Sequence, residues 1–220
     1  MAIRLGSVNP NAFRVGTQTP SRIFLGNDQV WPEFTEVRQQ FSTAGAYTFN
    51  IPAGCLYIDV ILLGGGGGGR SMPLAGVGGE GGRAGTWSTY TLRRGVDIPW
   101  STAQITGTVG AGGAGGAAAV GANPGKPGGA TTATATGVGT LSAAGGAGGG
   151  NAFDPNGQGA GSRTVNGVLY QGGAERASVG TGLAGNPPGG GGTASQVSLF
   201  IIGTAGGNGA PGSAWFRAYV

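Results

Sequence analysis

Nearly a third of the residues between Gly64 and Gly212 are glycine: 48 of the 53 glycines in this 220-residue chain fall there, beginning with an unbroken GGGGGG at 64–69. An average soluble protein contains about 7%. Each glycine held in one conformation costs about 0.5–1 kcal/mol more than alanine, so the span as a whole costs some tens of kcal/mol to order. An ordinary side-chain core does not offset that. Either the span is a flexible linker-like or matrix-like tract, or its backbone is held by something other than side chains.

The spacing of the glycines favours order. Collagen would require an unbroken Gly-X-Y period with abundant proline, whereas here period-three runs are short, with glycine at 76, 79, 82 and 85, at 107, 110, 113 and 116, and at 203, 206, 209 and 212. Such runs suit a left-handed threefold helix of the polyproline type. That helix has no internal hydrogen bonds, so every amide needs an external partner. Without side chains, rods of this kind approach closely enough to bond laterally, which makes glycine the core residue of a packed bundle. Alanine, valine and threonine spacers and the embedded Trp87, Tyr90, Trp100, Phe153 and Tyr170 also distinguish the span from disordered tracts, which are charged and poor in aromatics.

Outside this span the chain reads as β-structure. Residues 1–34 carry a ten-residue repeat, IRLG ending at Gly6, FRVG at Gly16 and IFLG at Gly26, each followed by a polar turn segment. Two or three short strands are marginal alone in water, so this leader needs a surface to pack on, either its own downstream domain or another protein. Two strands are predicted next. FTEVRQQFSTAGAYTFNIP alternates aromatics at Tyr47 and Phe49, and CLYIDVILL is apolar enough for burial on both faces. With SQVSLFIIG and AWFRAYV these hold most of the material for a conventional core. The predicted fold class is mainly β and irregular with essentially no α-helix: short N-terminal β-strands, then a β-framed glycine-rich domain with packed polyglycine-II-type helices. Its divisions are 1–34 and 35–220.

Little in the sequence supports chemistry. There is no histidine, and the eight carboxylates form no recognisable pair, so neither a triad nor an acid–base couple is apparent. GGGGGG satisfies the dinucleotide fingerprint trivially, but Arg70, Ser71, Met72 and Pro73 follow it where a helix is required. The phosphate-loop pattern fails as well, because Pro127 follows Lys126 and Val120 stands where glycine is needed. Cys55 is single, which excludes an intrachain disulfide, and sits among apolar residues as a buried hydrophobe would. The 12 basic residues are scattered, unlike the clustered footprint of a nucleic-acid binder. No segment has the length of apolar sequence that spans a bilayer, and the N-terminus lacks a secretory signal. A soluble protein made in a cytoplasm, with no catalytic, cofactor or metal site, is the expectation.

The segment FSTAGAYTFNIPAGCLYIDVILLGGGGGGR resembles the opening of the glycine-rich domain of phage tail proteins, and ITGTVGAGGAGG, TLSAAGGAGGG and GGNGAPGSAWFRAYV continue the resemblance in order. IRLGS, FRVGT and RIFLGNDQVW look like the leader of minor tail proteins from phages of actinobacteria. The chain is also similar, more distantly, to tail adhesins built from polyglycine helices. The resemblance implies a structural tail protein, made in the host cytoplasm and carried in the virion as a homotrimer. Its partners would be other tail proteins and host-envelope glycans or protein, with no nucleic acid and no membrane insertion. Arg4, Arg14, Arg22 and Trp31 are then candidates for assembly on the tail. Trp87, Trp100, Phe153 and Tyr170 are candidates for surface contact, with core packing as the alternative use of each.

Overall fold

The computed structural model describes residues 14–18, 20, 22–26, 28–31, 34–72, 79–118, 121–195 and 203–220. Among them are twelve strands and no helix: β1 (Ile23–Leu25), β2 (Asp28–Trp31), β3 (Val37–Phe41), β4 (Gly45–Asn50), β5 (Tyr57–Leu63), β6 (Trp87–Arg93), β7 (Gln104–Val109), β8 (Thr131–Ala135), β9 (Gly139–Ala143), β10 (Ser162–Val165), β11 (Val168–Gln171) and β12 (Ser213–Tyr219). The mainly β expectation is met. Of the leader repeat, the first unit lies outside the described residues. The other two turn at Gly16 and Gly26, both with φ of +64°, a left-handed geometry glycine adopts without steric cost.

Two antiparallel four-stranded sheets, ordered β3-β12-β5-β6 and β4-β7-β8-β9, pack face to face. Between them lies the main core, with Ile58, Val60, Leu62 and Phe216 from the first sheet against Phe49, Ile105, Val109 and Ala133 from the second. The first predicted strand is in fact two. Small residues 42–44 and Gly45, with φ of +122°, break it, and β3 and β4 go to different sheets. Of CLYIDVILL, Tyr57–Leu63 forms β5, covered on both faces as expected, while Cys55 and Leu56 precede the strand. Ile61 and Leu63 point away from the main core into a second cluster with Trp215 and Tyr170, which the β10–β11 hairpin covers.

Past β5 the chain enters residues 64–72, and here the backbone itself is the core. Gly64, Gly67 and Arg70 donate their amides to the carbonyls of Thr86, Arg83 and Glu80. Gly65, Gly68 and Ser71 donate to Gly129, Lys126 and Asn123, and Gly66, Gly69 and Met72 to Ala210, Gly207 and Thr204, at 2.8–3.3 Å throughout. Partner numbers fall as tract numbers rise, so these three neighbours run antiparallel. In the other direction Gly66 and Gly69 accept from Gly113 and Gly116, Gly65 and Gly68 from Gly146 and Gly149, and Gly67 and Arg70 from Gly192 and Ser195, three parallel neighbours. One tract therefore has six neighbours, each met every third residue, and all belong to the same chain.

Burial follows the same period. In 110–116 the glycines at 110, 113 and 116 are buried while Ala111 and Ala114 face solvent, whereas every residue of 64–69 is buried. A Cβ on any of Gly64 to Gly69 would lie under 3.0 Å from a neighbouring backbone carbonyl oxygen. Six consecutive glycines are thus what a segment surrounded on all sides requires, and Gly-Ala-Gly is what a peripheral one tolerates.

Candidate functional site

The strand directions give the molecule two poles. β5, β7 and β9 run into glycine segments at Leu63, Val109 and Ala143, and β6, β8 and β12 leave them at Trp87, Thr131 and Ser213. One end of the sandwich thus carries the glycine bundle, and the opposite end, the base, carries the 94–103 connection. The far end of the bundle is where Met72, Glu80, Asn123, Gly150, Ser195 and Thr204 meet in register.

At the base, two candidates named for different roles are in one contact. The guanidinium of Arg22 lies 4.1 Å from the centre of the Trp100 ring, and that of Arg94 lies 5.2 Å from the same ring. Arg94 is buried and donates from Nη2 to the carbonyls of Trp100 (2.6 Å) and Thr102 (3.2 Å), which holds the loop against the sheet. Burial, with the Arg94 charge beside it, lowers the affinity of Arg22 for its proton. Burial pushes the Cys55 thiol up, against the opposing effect of Arg94 at 3.8 Å, so Cys55 is a protonated thiol at neutral pH rather than a nucleophile. Phe24, Leu25, Val96 and Trp100 are exposed here. Arg14 is exposed, Trp31 ends β2 opposite Ile23, and Arg4 lies outside the described residues.

The other candidates separate. Phe153 is 80% exposed, beside the far end of the bundle, where the Asp154 carbonyl accepts from Gly81. Trp87 and Tyr170 are packing residues instead. Trp87 stacks on Trp215 at 5.3 Å and donates from Nε1 to Ala160 (2.9 Å), and Tyr170 is 7% exposed, edge-on to the same Trp215. Sequence position within a glycine-rich stretch suggested exposure for both. The second face of the β5 sheet, which buries Tyr170 and half-buries Trp87, exists only after the hairpin folds back.

A polar cluster at the base-side end of that covered face escaped the sequence reading. Asp59, fully buried, accepts from Thr91 Oγ1 (2.7 Å), Asn166 Nδ2 (2.8 Å) and the Tyr219 hydroxyl (3.2 Å), with Arg217 Nη1 at 3.6 Å. Asn166, with φ of +46°, and Gly167 form the tip of the β10–β11 hairpin, and the Asn-Gly pair was the available signal. Burial, then the Asp59 charge, pushes the Tyr219 phenol up. Burial alone would raise Glu36, but its bonds to Arg217 (2.7 Å) and Arg38 outweigh that and hold it below the ordinary carboxylate range.

A carboxylate with a lowered folded pKa adds stability above its unfolded value, and that contribution disappears as pH falls through the folded one. Wild type should therefore melt above Glu36→Gln at pH 6, with the difference shrinking below about 4.3, where unfolded glutamate protonates, and gone once pH has fallen through the lower folded value. Melting curves of both proteins from pH 7 to 3 measure this.

A model of the glycine-rich domain family matches residues 42–219. The chain is 50% identical over 204 residues to the Gene 32 protein of Mycobacterium phage D29, covering 90% of each chain. It is 53% identical over 201 residues to the Gene 32 protein of Mycobacterium phage L5, covering 90% of this chain and 89% of that one. With its glycine tract packed as a backbone core between two sheets and a far pole, the chain belongs to the glycine-rich domain family and is a homologue of these phage proteins.

Proposed function

We propose that the chain is a structural component of a bacteriophage tail, docked through its N-terminal segment and base, with the glycine bundle projecting outward. The observation that carries this reading is the polarity of the molecule. The leader meets the domain at the base, through Arg22 and Trp100, where exposed apolar side chains gather. The opposite pole is a stalk with a hydrogen-bonded backbone core. The relatives in two phages support the phage setting.

In this reading the glycine segments are polyglycine-II-type helices, supported by the threefold period of both hydrogen bonding and burial. At about 3.1 Å per residue, the nine residues 64–72 would span about 28 Å. Lateral bonds to this tract come from within the chain, so the homotrimer rests on the resemblance to tail proteins and not on unpaired backbone. Light scattering of the purified chain decides between one copy and three.

The test of location is antibody labelling of purified virions viewed by electron microscopy. Label confined to the tail is the expected result. Virions free of the protein by mass spectrometry would end the proposal. A second reading, an architectural spacer that touches no receptor, is favoured by the packing of Trp87 and Tyr170 against Trp215, which leaves Phe153 as the one exposed aromatic among the far-pole residues described. Purified protein that fails to bind host cells, from virions that cannot assemble without it, would select the spacer over envelope contact.

A further inference from the structure

The chain contains three Asn-Gly pairs, at 156–157, 166–167 and 208–209. This dipeptide carries a reaction of its own. The glycine amide nitrogen attacks the asparagine Cγ, unhindered because glycine has no side chain. Ammonia leaves, and water opens the resulting five-membered imide to aspartate or isoaspartate. The attack needs an amide free of other bonds and a carboxamide that is able to turn towards it.

Backbone packing withholds both at two of the pairs. The Gly157 amide donates to Arg176 (2.9 Å) and the Gly209 amide to Gly113 (2.8 Å). Their asparagines are held as well: Asn156 Oδ1 accepts from the Ser178 amide (3.0 Å) and Asn208 Oδ1 from the Gly115 amide (2.8 Å). The third pair is the exposed tip of the β10–β11 hairpin. There the Gly167 amide makes no hydrogen bond among the described residues, and a Cβ on Gly167 would meet nothing within 4 Å.

What restrains Asn166 is its carboxamide. Nδ2 donates to Asp59 Oδ1 (2.8 Å), Thr91 Oγ1 (3.1 Å) and the Tyr219 hydroxyl (3.3 Å). These bonds fasten the hairpin over Trp215, so the group that reacts is also the latch. Cyclisation takes Nδ2 off all three acceptors, and the product does not rebuild the latch. A carboxylate has no proton to donate to Asp59, and it sets a second negative charge against a buried one whose Oδ2 has no hydrogen-bond partner. The Arg217 guanidinium, which would offset that charge, already serves Glu36 (2.7 Å) and Asp59 (3.6 Å). Isoaspartate also adds one carbon to the main chain, which a two-residue turn does not take up in register.

We propose that Asn166 is a self-modifying site: in the folded protein it converts to aspartate or isoaspartate, and the conversion releases the β10–β11 hairpin from the apolar cluster of Ile61, Leu63 and Trp215. The Gly167 N–Cγ bond forms as the Cγ–Nδ2 bond breaks, the amide proton leaves with the ammonia, and one water is consumed in opening the imide. Nothing is oxidised or reduced. The site stands independently of the tail reading.

The test stores purified full-length protein in mildly alkaline buffer, folded and in urea, and maps peptides to separate asparagine, aspartate and isoaspartate at 156, 166 and 208. In the folded protein position 166 should convert at least about tenfold faster than the other two, each of which is held by more than one hydrogen bond. Urea should bring the three rates together. Folded Thr91→Ala, which lacks one of the three acceptors, should convert several-fold faster than wild type. Hairpin release is read as protease cleavage within 162–171 and a change in tryptophan emission. Both should grow with conversion at 166 and be present from the outset in Asn166→Asp.

An Asn166 that stays intact in the folded protein while urea converts all three overturns the proposal. So does conversion that leaves the hairpin as resistant to protease as before. Neither outcome bears on the labelling of virions, which tests the tail reading alone.

Discussion

Gly67→Ala is expected to destabilise the protein by at least about 3 kcal/mol, the upper end of what overpacking costs. Gly67 donates to Arg83 (2.8 Å), accepts from Gly192 (2.9 Å) and packs against Ala147, and its new Cβ would overlap the Ala147 carbonyl oxygen. In a side-chain core a neighbour relieves such a clash by changing rotamer. Here the neighbour is backbone, already bonded on its other sides, so relief means moving a whole segment and lengthening bonds along it. Gly121→Ala is the matched control. Nothing lies within 4 Å of a Cβ there and φ is not in the left-handed region, so it should be neutral, or stabilising by about 0.4–1 kcal/mol through the unfolded chain. Urea unfolding of the two variants beside wild type measures the contrast. Equal small effects for both would show that 64–72 is not a closely packed backbone core.

Phe216→Ala should cost about 3–5 kcal/mol, the range for removing a buried aromatic. Phe216 is 1% exposed on β12 and reaches from one sheet to the other, stacking on Phe49 with ring centres 4.5 Å apart and meeting Phe41 and Tyr47 at 6.0 and 5.7 Å. A loss of this size is a large share of the about 5–15 kcal/mol that separates folded from unfolded domains. Phe153→Ala, at the far pole, should change the melting temperature little, since exposed substitutions stay within about 0.5 kcal/mol. If both phenylalanines mattered equally, Phe153 would be part of a packed surface that the 80% exposure does not show.

The base is where sequence reasoning and structure meet least simply. Arg22 was a candidate for assembly with other proteins and Trp100 for contact with a host, and they stack on each other within one chain. Leader and domain are 78 positions apart in these two residues, and nothing local to either one encodes the meeting. Trp87 and Tyr170 were likewise candidates for exposure. Both pack on Trp215, and the hairpin that brings Tyr170 there is anchored by Asn166 on Asp59.

Several features were legible in the residues alone. Period-three glycine runs predicted a backbone-bonded bundle because a side-chain-free segment has only its amides and carbonyls with which to cohere. CLYIDVILL announced a strand covered on both faces because no polar face interrupts it. The central place of GGGGGG was not among them: only the six neighbouring segments show that a Cβ is excluded at each of these positions.

The tertiary structure decided the rest: the break that sends β3 and β4 to different sheets, the closure of the hairpin over Trp215, and the poles. Each of these depends on pairing between residues far apart in the chain, such as Trp215 with Ile61 and Gln40. Local sequence sets which face of a strand is apolar. Which distant segment covers that face is settled by the packing of the whole chain.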